Sequence, residues 1–326
     1  METELLAKLS GNKRALWHQL LSETGLTADE DAEVFLLIWD GDDLIATGAR
    51  KGNLLKCIAV APDRQGEDLT ATVLTQLRQD AFGAGHSHLF LYTKPKNVPL
   101  FSSLFFYPIA QTADVALLES QPDGIRSFLE TLPAPCKKGI IGSVVANCNP
   151  FTLGHQHLIR TAAKECDWVY VFILSEDRSD FSFADRLAMV QAGTGELKNV
   201  TVLPTGPYLI SSATFPTYFL KDPAIIEDAQ CKLDAAIFIQ YYAPTFSISR
   251  RYVGTEPLCP VTDAYNHILA ETLPKQGIAL RAIDRLEHEG TPVSATEVRR
   301  LLQEGNFEAI RAFVPQSTFD YLKDKF

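Results

Sequence analysis

Two short clusters of residues carry groups suited to holding a phosphate chain. In the first, Thr152, Gly154 and His155 stand in the order T-x-G-H. In the second, about 140 residues later, Ser294, Thr296 and Arg299 stand in the order S-x-T-x-x-R. Gly154 leaves out a side chain where a ligand or a neighbouring backbone could come close, and His155 in a first helical turn can donate to a phosphate oxygen. The second cluster adds two hydroxyls and a permanent cation. Arginine can take phosphate oxygens bidentately, which is what a leaving pyrophosphate requires. Taken singly, each cluster is also what ordinary helix capping would produce. The case for shared chemistry therefore rests on the elements that carry them.

Ile140 to Val145 is an apolar run without helical period, as in a buried parallel strand. Asn147 to Pro150 breaks it, and from Leu153 the apolar spacing becomes helical, with Thr152 at the N-cap position. Strand, tight turn and helix point unpaired N–H groups and a positive helix end at the turn, which favours a phosphate there. Ser294 and Glu297 form a capping pattern before a second helix, Glu297 to Gln303. Between the clusters the chain reads as strand Asp167–Leu174, helix Phe183–Gln191 behind Ser182, strand Val200–Leu203 and helix Ile225–Ala235. Strands at Ala236–Tyr241 and Arg251–Gly254, helix Ala264–Leu273 and a last strand Ile278–Ile283 follow. Such alternation predicts a parallel sheet covered on both faces, with ligands beyond the carboxyl ends of its strands. The Thr152 turn, Ser175–Arg178 and Gly254–Pro257 all fall at those ends. Arg186 reads either as a cation reaching a phosphate or as a surface residue, and Tyr208–Lys221 as a pocket loop or a helix interrupted by Pro216.

The chain has 326 residues, 46% hydrophobic and 21% charged, which suits a soluble enzyme of two domains. We place the boundary at a proline- and lysine-containing linker, giving domains 1–135 and 136–326. The net charge of −10 argues against nucleic acid or an anionic membrane as the main partner. Six cysteines include no C-x-x-C pair and no histidine at zinc-ligand spacing, so no metal ligand set is expected. Without a signal-peptide core or an apolar run near the ~20 residues of a membrane span, the expected location is the cytoplasm.

In the first 135 residues, a helix is expected over Glu4–Leu21, then a hairpin of Val34–Trp39 and Leu44–Ala49 about an Asp-Gly turn. Strand Leu54–Val60, helix Leu69–Gly83 and strand His88–Thr93 complete the order. That order resembles the GNAT acetyltransferase fold. The family's Q/R-x-x-G-x-G/A loop for the CoA pyrophosphate corresponds to Gln65-Gly66-Glu67-Asp68-Leu69-Thr70. Asp68 stands where glycine is expected, and its carboxylate would repel a pyrophosphate. The fold is expected here without an intact CoA loop.

T-x-G-H and S-x-T-x-x-R resemble the two signatures of the nucleotidyltransferase superfamily. The longer blocks NPFTLGHQHLI, ISSATFPTYFLK and RYVGTEPLCPVTDAYN, with the domain order, resemble the citrate lyase ligase family over the whole chain. The implied fold class is α/β, a GNAT-like α+β domain followed by a Rossmann-like parallel-sheet nucleotidyltransferase domain. The resemblance implies activation of acetate with ATP to acetyl-adenylate and pyrophosphate. Acetyl then passes to the thiol of the phosphoribosyl-dephospho-CoA group on the acyl-carrier subunit of citrate lyase. It assigns catalysis to Thr152, His155 and Arg299. Nucleotide contacts fall to Asn149, Pro150, Phe151, Gly154, His157, Ser294 and Thr296, with Gly254, Thr255 and Glu256 beside adenine and Mg²⁺ held mainly through ATP. For acetate, Lys221, Arg250 and Arg251 are candidate cations, each equally readable as an ion-pair partner, and Phe215 and Tyr218 are candidate walls. Competing readings are an adenylyltransferase acting on a phosphorylated acceptor, and a docking protein that senses a nucleotide without turning it over.

Overall fold

The computed structural model describes residues 1–136, 138–176, 179–209, 215, 218–220, 223–255 and 260–325. It divides into two compact units, Met1–Gly124 with Pro216–Leu233 and Ile125–Phe215 with Asp234–Phe326. Where the sequence places one boundary at 135, the chain parts at 124 and returns to the first unit for 216–233. Hydrogen bonds hold that return. The Tyr218 hydroxyl donates to the Tyr92 carbonyl at 2.8 Å, and the Thr27 N–H donates to the Tyr218 carbonyl at 2.6 Å.

The first unit contains β1 (Glu2–Leu6), α1 (Gly11–Glu23), β2 (Val34–Asp40), β3 (Asp43–Lys51), β4 (Leu54–Val60) and α2 (Leu69–Gly83). After them come β5 (Phe90–Thr93), α3 (Val98–Ser103), β6 (Tyr107–Gln111) and β7 (Ala116–Glu119). The strands form one sheet in the order β1-β2-β3-β4-β5-β7-β6, so hairpin, strand, helix and strand follow as the sequence indicates. Two details differ. Glu2–Leu6 is an antiparallel edge strand on β2 and not the start of a helix, because Ser10 and Gly11 (φ +53°) break the helical pattern. Once it is paired, Glu4 accepts from Lys13 at 2.6 Å and from the Trp39 indole at 3.2 Å. β6 and β7, of five and four residues, are too short to show a period, and tertiary pairing alone makes them strands. β4 and β5 run parallel but pair only at Leu54–Phe90 and Leu55–Leu91.

In the second unit, α4 (Gly124–Thr131) leads to β8 (Ile141–Ala146), α5 (Leu153–Glu165), β9 (Trp168–Ile173), α6 (Phe183–Thr194) and β10 (Val200–Pro204). Next comes α7 (Pro223–Ile237), whose residues up to Leu233 belong to the first unit, and then, in the second unit, a π-type turn at Phe238–Tyr242, α8 (Ala243–Phe246), β11 (Arg250–Gly254), α9 (Pro260–Thr272), β12 (Ala279–Ile283) and α10 (Ala295–Gln303). All five strands are parallel, in the order β10-β9-β8-β11-β12. β9, WVYVFI, is buried over Val169–Ile173, as a strand covered on both faces must be. The expected strand at Ala236–Tyr241 is instead the end of α7 and the π-type turn. A short apolar run suits a buried helix as well as a buried strand, and Phe238 and Tyr242 are both fully buried in the helical form. Topology reverses between β8 and β11, where open parallel sheets leave a crevice at their carboxyl ends.

Candidate active site

The β8–α5 turn is built by packing before it can bind anything. The Asn149–Pro150 peptide is cis, Phe151 is fully buried, and its ring lies where a Cβ on Gly193 would come within 2.4 Å. Glycine at 193 is thus what lets the ring close onto α6. The Asn149 amide donates to Asp180 at 2.9 Å and its oxygen accepts from the Phe181 N–H at 3.1 Å. Cys148, also buried, has its thiol pushed up to about 12 by burial and behaves as a small apolar residue.

Thr152 is the N-cap of α5, its hydroxyl accepting from the His155 N–H at 3.4 Å. A capping box normally has Glu or Gln three residues on, but here His155 takes that place. Its Nδ1 accepts from the Thr152 N–H at 3.1 Å and lies 2.9 Å from the Thr152 hydroxyl. With Nδ1 accepting, the neutral ring carries its proton on Nε2, and Nε2 is the donor left for a ligand. Burial, and then the charge of Arg285, push the His155 pKa down to about 4. Phe151 stacks on the ring at 6.0 Å.

The second cluster meets the first directly. A Cβ on Gly154 would lie 3.4 Å from the Val293 carbonyl, next to Ser294. Ser294 caps α10, accepting from the Glu297 N–H at 3.1 Å. Arg299 binds the two clusters together: it donates to the Asn149 carbonyl at 2.5 Å and to Thr296 Oγ1 at 3.2 Å, and pairs with Asp180 at 3.2 Å.

A cavity of about 700 Å³ opens at the carboxyl ends of β8, β11 and β12. Thr152, Gly154, His155, His157, Gly254, Thr255, Ser294 and Thr296 all line it. Asn149, Pro150, Phe151 and Arg299 stand behind this wall and shape the turn. Glu256 and Lys221 lie outside the described residues, as does most of the stretch 210–217. Tyr218 belongs to the first unit, on the wall of a separate cavity of about 460 Å³ that also carries Gly66, Asp68 and Thr70. Phe215, in the second unit, is buried and does not line the 700 Å³ cavity. Asp68 has the left-handed φ of +57° that the glycine of a CoA loop would adopt freely.

A family profile described as the citrate lyase ligase C-terminal domain matches residues 141–322. The citrate (pro-3S)-lyase ligase of Klebsiella pneumoniae is 40% identical, covering 95% of this chain and 92% of that protein. The chain belongs to the citrate lyase ligase family. Its Escherichia coli K12 relative of the same name is 38% identical, covering 97% and 92%. Among solved structures, Thermotoga maritima TmcAL bound with alpha-thio ATP aligns at 15% identity and a TM-score of 0.37, covering 57% of this chain and 56% of that one.

Among the wall residues of this citrate lyase ligase family member that escape the sequence reading are Asn147, Tyr265, Asn266 and Arg285. The Asn266 amide donates to the Gly254 carbonyl at 3.0 Å, and Arg285 Nε donates to the Thr255 carbonyl at 3.1 Å, so both shape the end of β11. The signal available for Arg285 was its place just after the last parallel strand. Among the described residues, no helix is long and apolar enough to cross a membrane.

The lowered His155 value has a consequence for stability. Between about 4 and the ordinary 6.5, the unfolded chain binds this proton more readily than the folded one, so stability falls as pH falls through that window. Asp234, raised to about 6 by burial, acts in the opposite sense. Comparison with His155→Asn isolates the histidine. Between pH 7 and 4.5 the native protein should lose about 1–2 kcal/mol more than the variant in urea unfolding, the partly open ring discounting the full shift.

Proposed function

We propose that this protein activates acetate with ATP and passes the acetyl group to a thiol on the acyl-carrier subunit of citrate lyase, in the cytoplasm. The observation that carries this reading is the meeting of the Thr152–His155 and Ser294–Thr296 clusters on one cavity at the topological switch of a parallel sheet, in a member of this family. The N-termini of α5 and α10 both present N–H groups and positive dipole ends to the triphosphate. Thr152 and His155 hold it from one side, Ser294 and Thr296 from the other, while Gly154 leaves room between them. Gly254 and Thr255 take the adenine side, and Mg²⁺ would be held mainly through the ATP phosphates and water.

In the first step an acetate oxygen bonds to the α-phosphorus, and the bond from that phosphorus to the bridging oxygen of pyrophosphate breaks. His155 Nε2–H donates to the phosphate oxygens as charge moves onto the leaving group. In the second, the carrier thiol gives its proton to solvent water, its sulfur bonds to the acetyl carbon, and the bond from that carbon to the shared oxygen breaks so that AMP leaves with the oxygen. The thiol belongs to the phosphoribosyl-dephospho-CoA prosthetic group.

Exchange of labelled pyrophosphate into ATP should require acetate, and purified carrier should then gain one acetyl thioester. Exchange that is indifferent to acetate would defeat the proposal. Arg299→Ala should lower exchange by about 10–100-fold, because the turn loses its tie to α10 and the phosphates lose a nearby cation.

A further inference from the structure

Two adjacent arginines on β11 are put to opposite uses by the alternation of the strand. Arg250 and Tyr252 face α5, where Arg250 Nη1 donates to the Glu165 carbonyl at 3.2 Å and the Tyr252 hydroxyl to the Glu165 carboxylate at 2.8 Å. Arg251, on the other face, is only 1% exposed. Its guanidinium carbon lies 4.3 Å from the centre of the Phe238 ring, and neither Nε nor Nη1 meets an acceptor. Buried guanidinium donors are nearly always satisfied, since desolvating them without a partner is costly. Asp234, the buried carboxylate whose ionisation Arg251 favours, instead accepts from the Tyr265 hydroxyl. Yet Arg251 lines the same cavity as Thr152, Gly154 and His155.

We propose that Arg251 is the anchor for the carboxylate of the small acid substrate, its unpartnered N–H groups donating to that carboxylate while Phe238 backs the guanidinium. The proposal rests on the acetate-activating reading above and assigns that reading its acid subsite. A fixed cation on a buried strand suits the task. It draws the acid into the cavity that holds the phosphate clusters. Of the three cations open in the sequence, Arg250 is committed to Glu165 and Lys221 lies outside the described residues, whereas Arg251 alone among the described candidates combines burial, unmet donors and the cavity.

The test is pyrophosphate–ATP exchange by the full chain, with acetate and ATP varied separately, in wild type, Arg251→Met and Arg251→Lys. Arg251→Met should raise the acetate KM by about 30–100-fold, the range expected for losing hydrogen bonds to a charged group, with the ATP KM within about 2-fold. Its melting temperature should equal or exceed that of wild type, because a buried cation without acceptors is removed. Arg251→Lys should fall between the two in acetate KM. Should Arg251→Met fail to fold, the lysine variant decides: an unchanged acetate KM there overturns the proposal. Acetate and ATP KM values rising together would likewise overturn it, assigning Arg251 a purely structural role. Wild type that exchanges without acetate would overturn the ligase reading itself, whereas acetate-dependent exchange unaffected by either variant would overturn only the subsite.

Discussion

Replacing His155 by alanine is expected to lower acetate-dependent pyrophosphate exchange by about 10²–10³-fold, the cost of removing one preorganised donor from a site of developing phosphate charge. Two further substitutions separate the halves of the ring. Asparagine at 155 keeps an acceptor near the position of Nδ1, so the link to the Thr152 N–H survives while the outward donor is lost. Glutamine reaches the position of Nε2 and keeps that donor at the expense of the cap. On the donor reading, His155→Asn should be nearly as inactive as His155→Ala, and His155→Gln should recover about tenfold. If Asn proves as active as wild type, the ring serves only to cap α5. Melting temperatures should change little across the series, since a helix cap contributes about 1 kcal/mol.

Arg186→Met should cost about 3–5 kcal/mol of stability, read as a lowered urea midpoint at an unchanged slope. Arg186 is fully buried, and its guanidinium donates to the carbonyls of Asn147 at 3.0 Å, Leu174 at 2.8 Å and Phe181 at 3.1 Å, and to that of Glu176. It also donates to Asn147 Oδ1 at 2.6 Å. Methionine fills similar space but leaves these oxygens unpaired at the ends of β8 and β9, and an unpaired buried acceptor costs far more than a made hydrogen bond gains. Because Asn147 lines the cavity, exchange should fall together with stability. A loss below about 1 kcal/mol would mean that water takes over the guanidinium's bonds.

Both choices left open for Arg186 in the sequence, phosphate cation or surface residue, are replaced by a third. The reason applies to every arginine here. Arg186, Arg251 and Arg299 sit on clearly periodic elements, but a guanidinium at the end of a long flexible arm takes whatever acceptors the fold brings near. For Arg299 these come from Asn149 and Asp180, more than a hundred residues away. Likewise, whether Ala236–Tyr241 was strand or helix depended on what surrounded its aromatic rings. Glu2–Leu6 became a strand only because the free edge of β2 was there to pair with it.

What the residues determined unaided was local and short in range: the β8–turn–α5 unit, the caps at Thr152, Ser182 and Ser294, and the alternation of strands and helices in the second unit. Caps act over three residues and periodicity over a few turns, so both are written in the order of side chains. Only the tertiary structure decided that Gly154 lies against Val293, that burial lowers the pKa of His155 while its Nδ1 accepts from the Thr152 N–H, and that Arg251 rather than Arg250 is buried. Those outcomes depend on burial and on partners distant in the chain, and desolvation exists only once the sheet has closed around them.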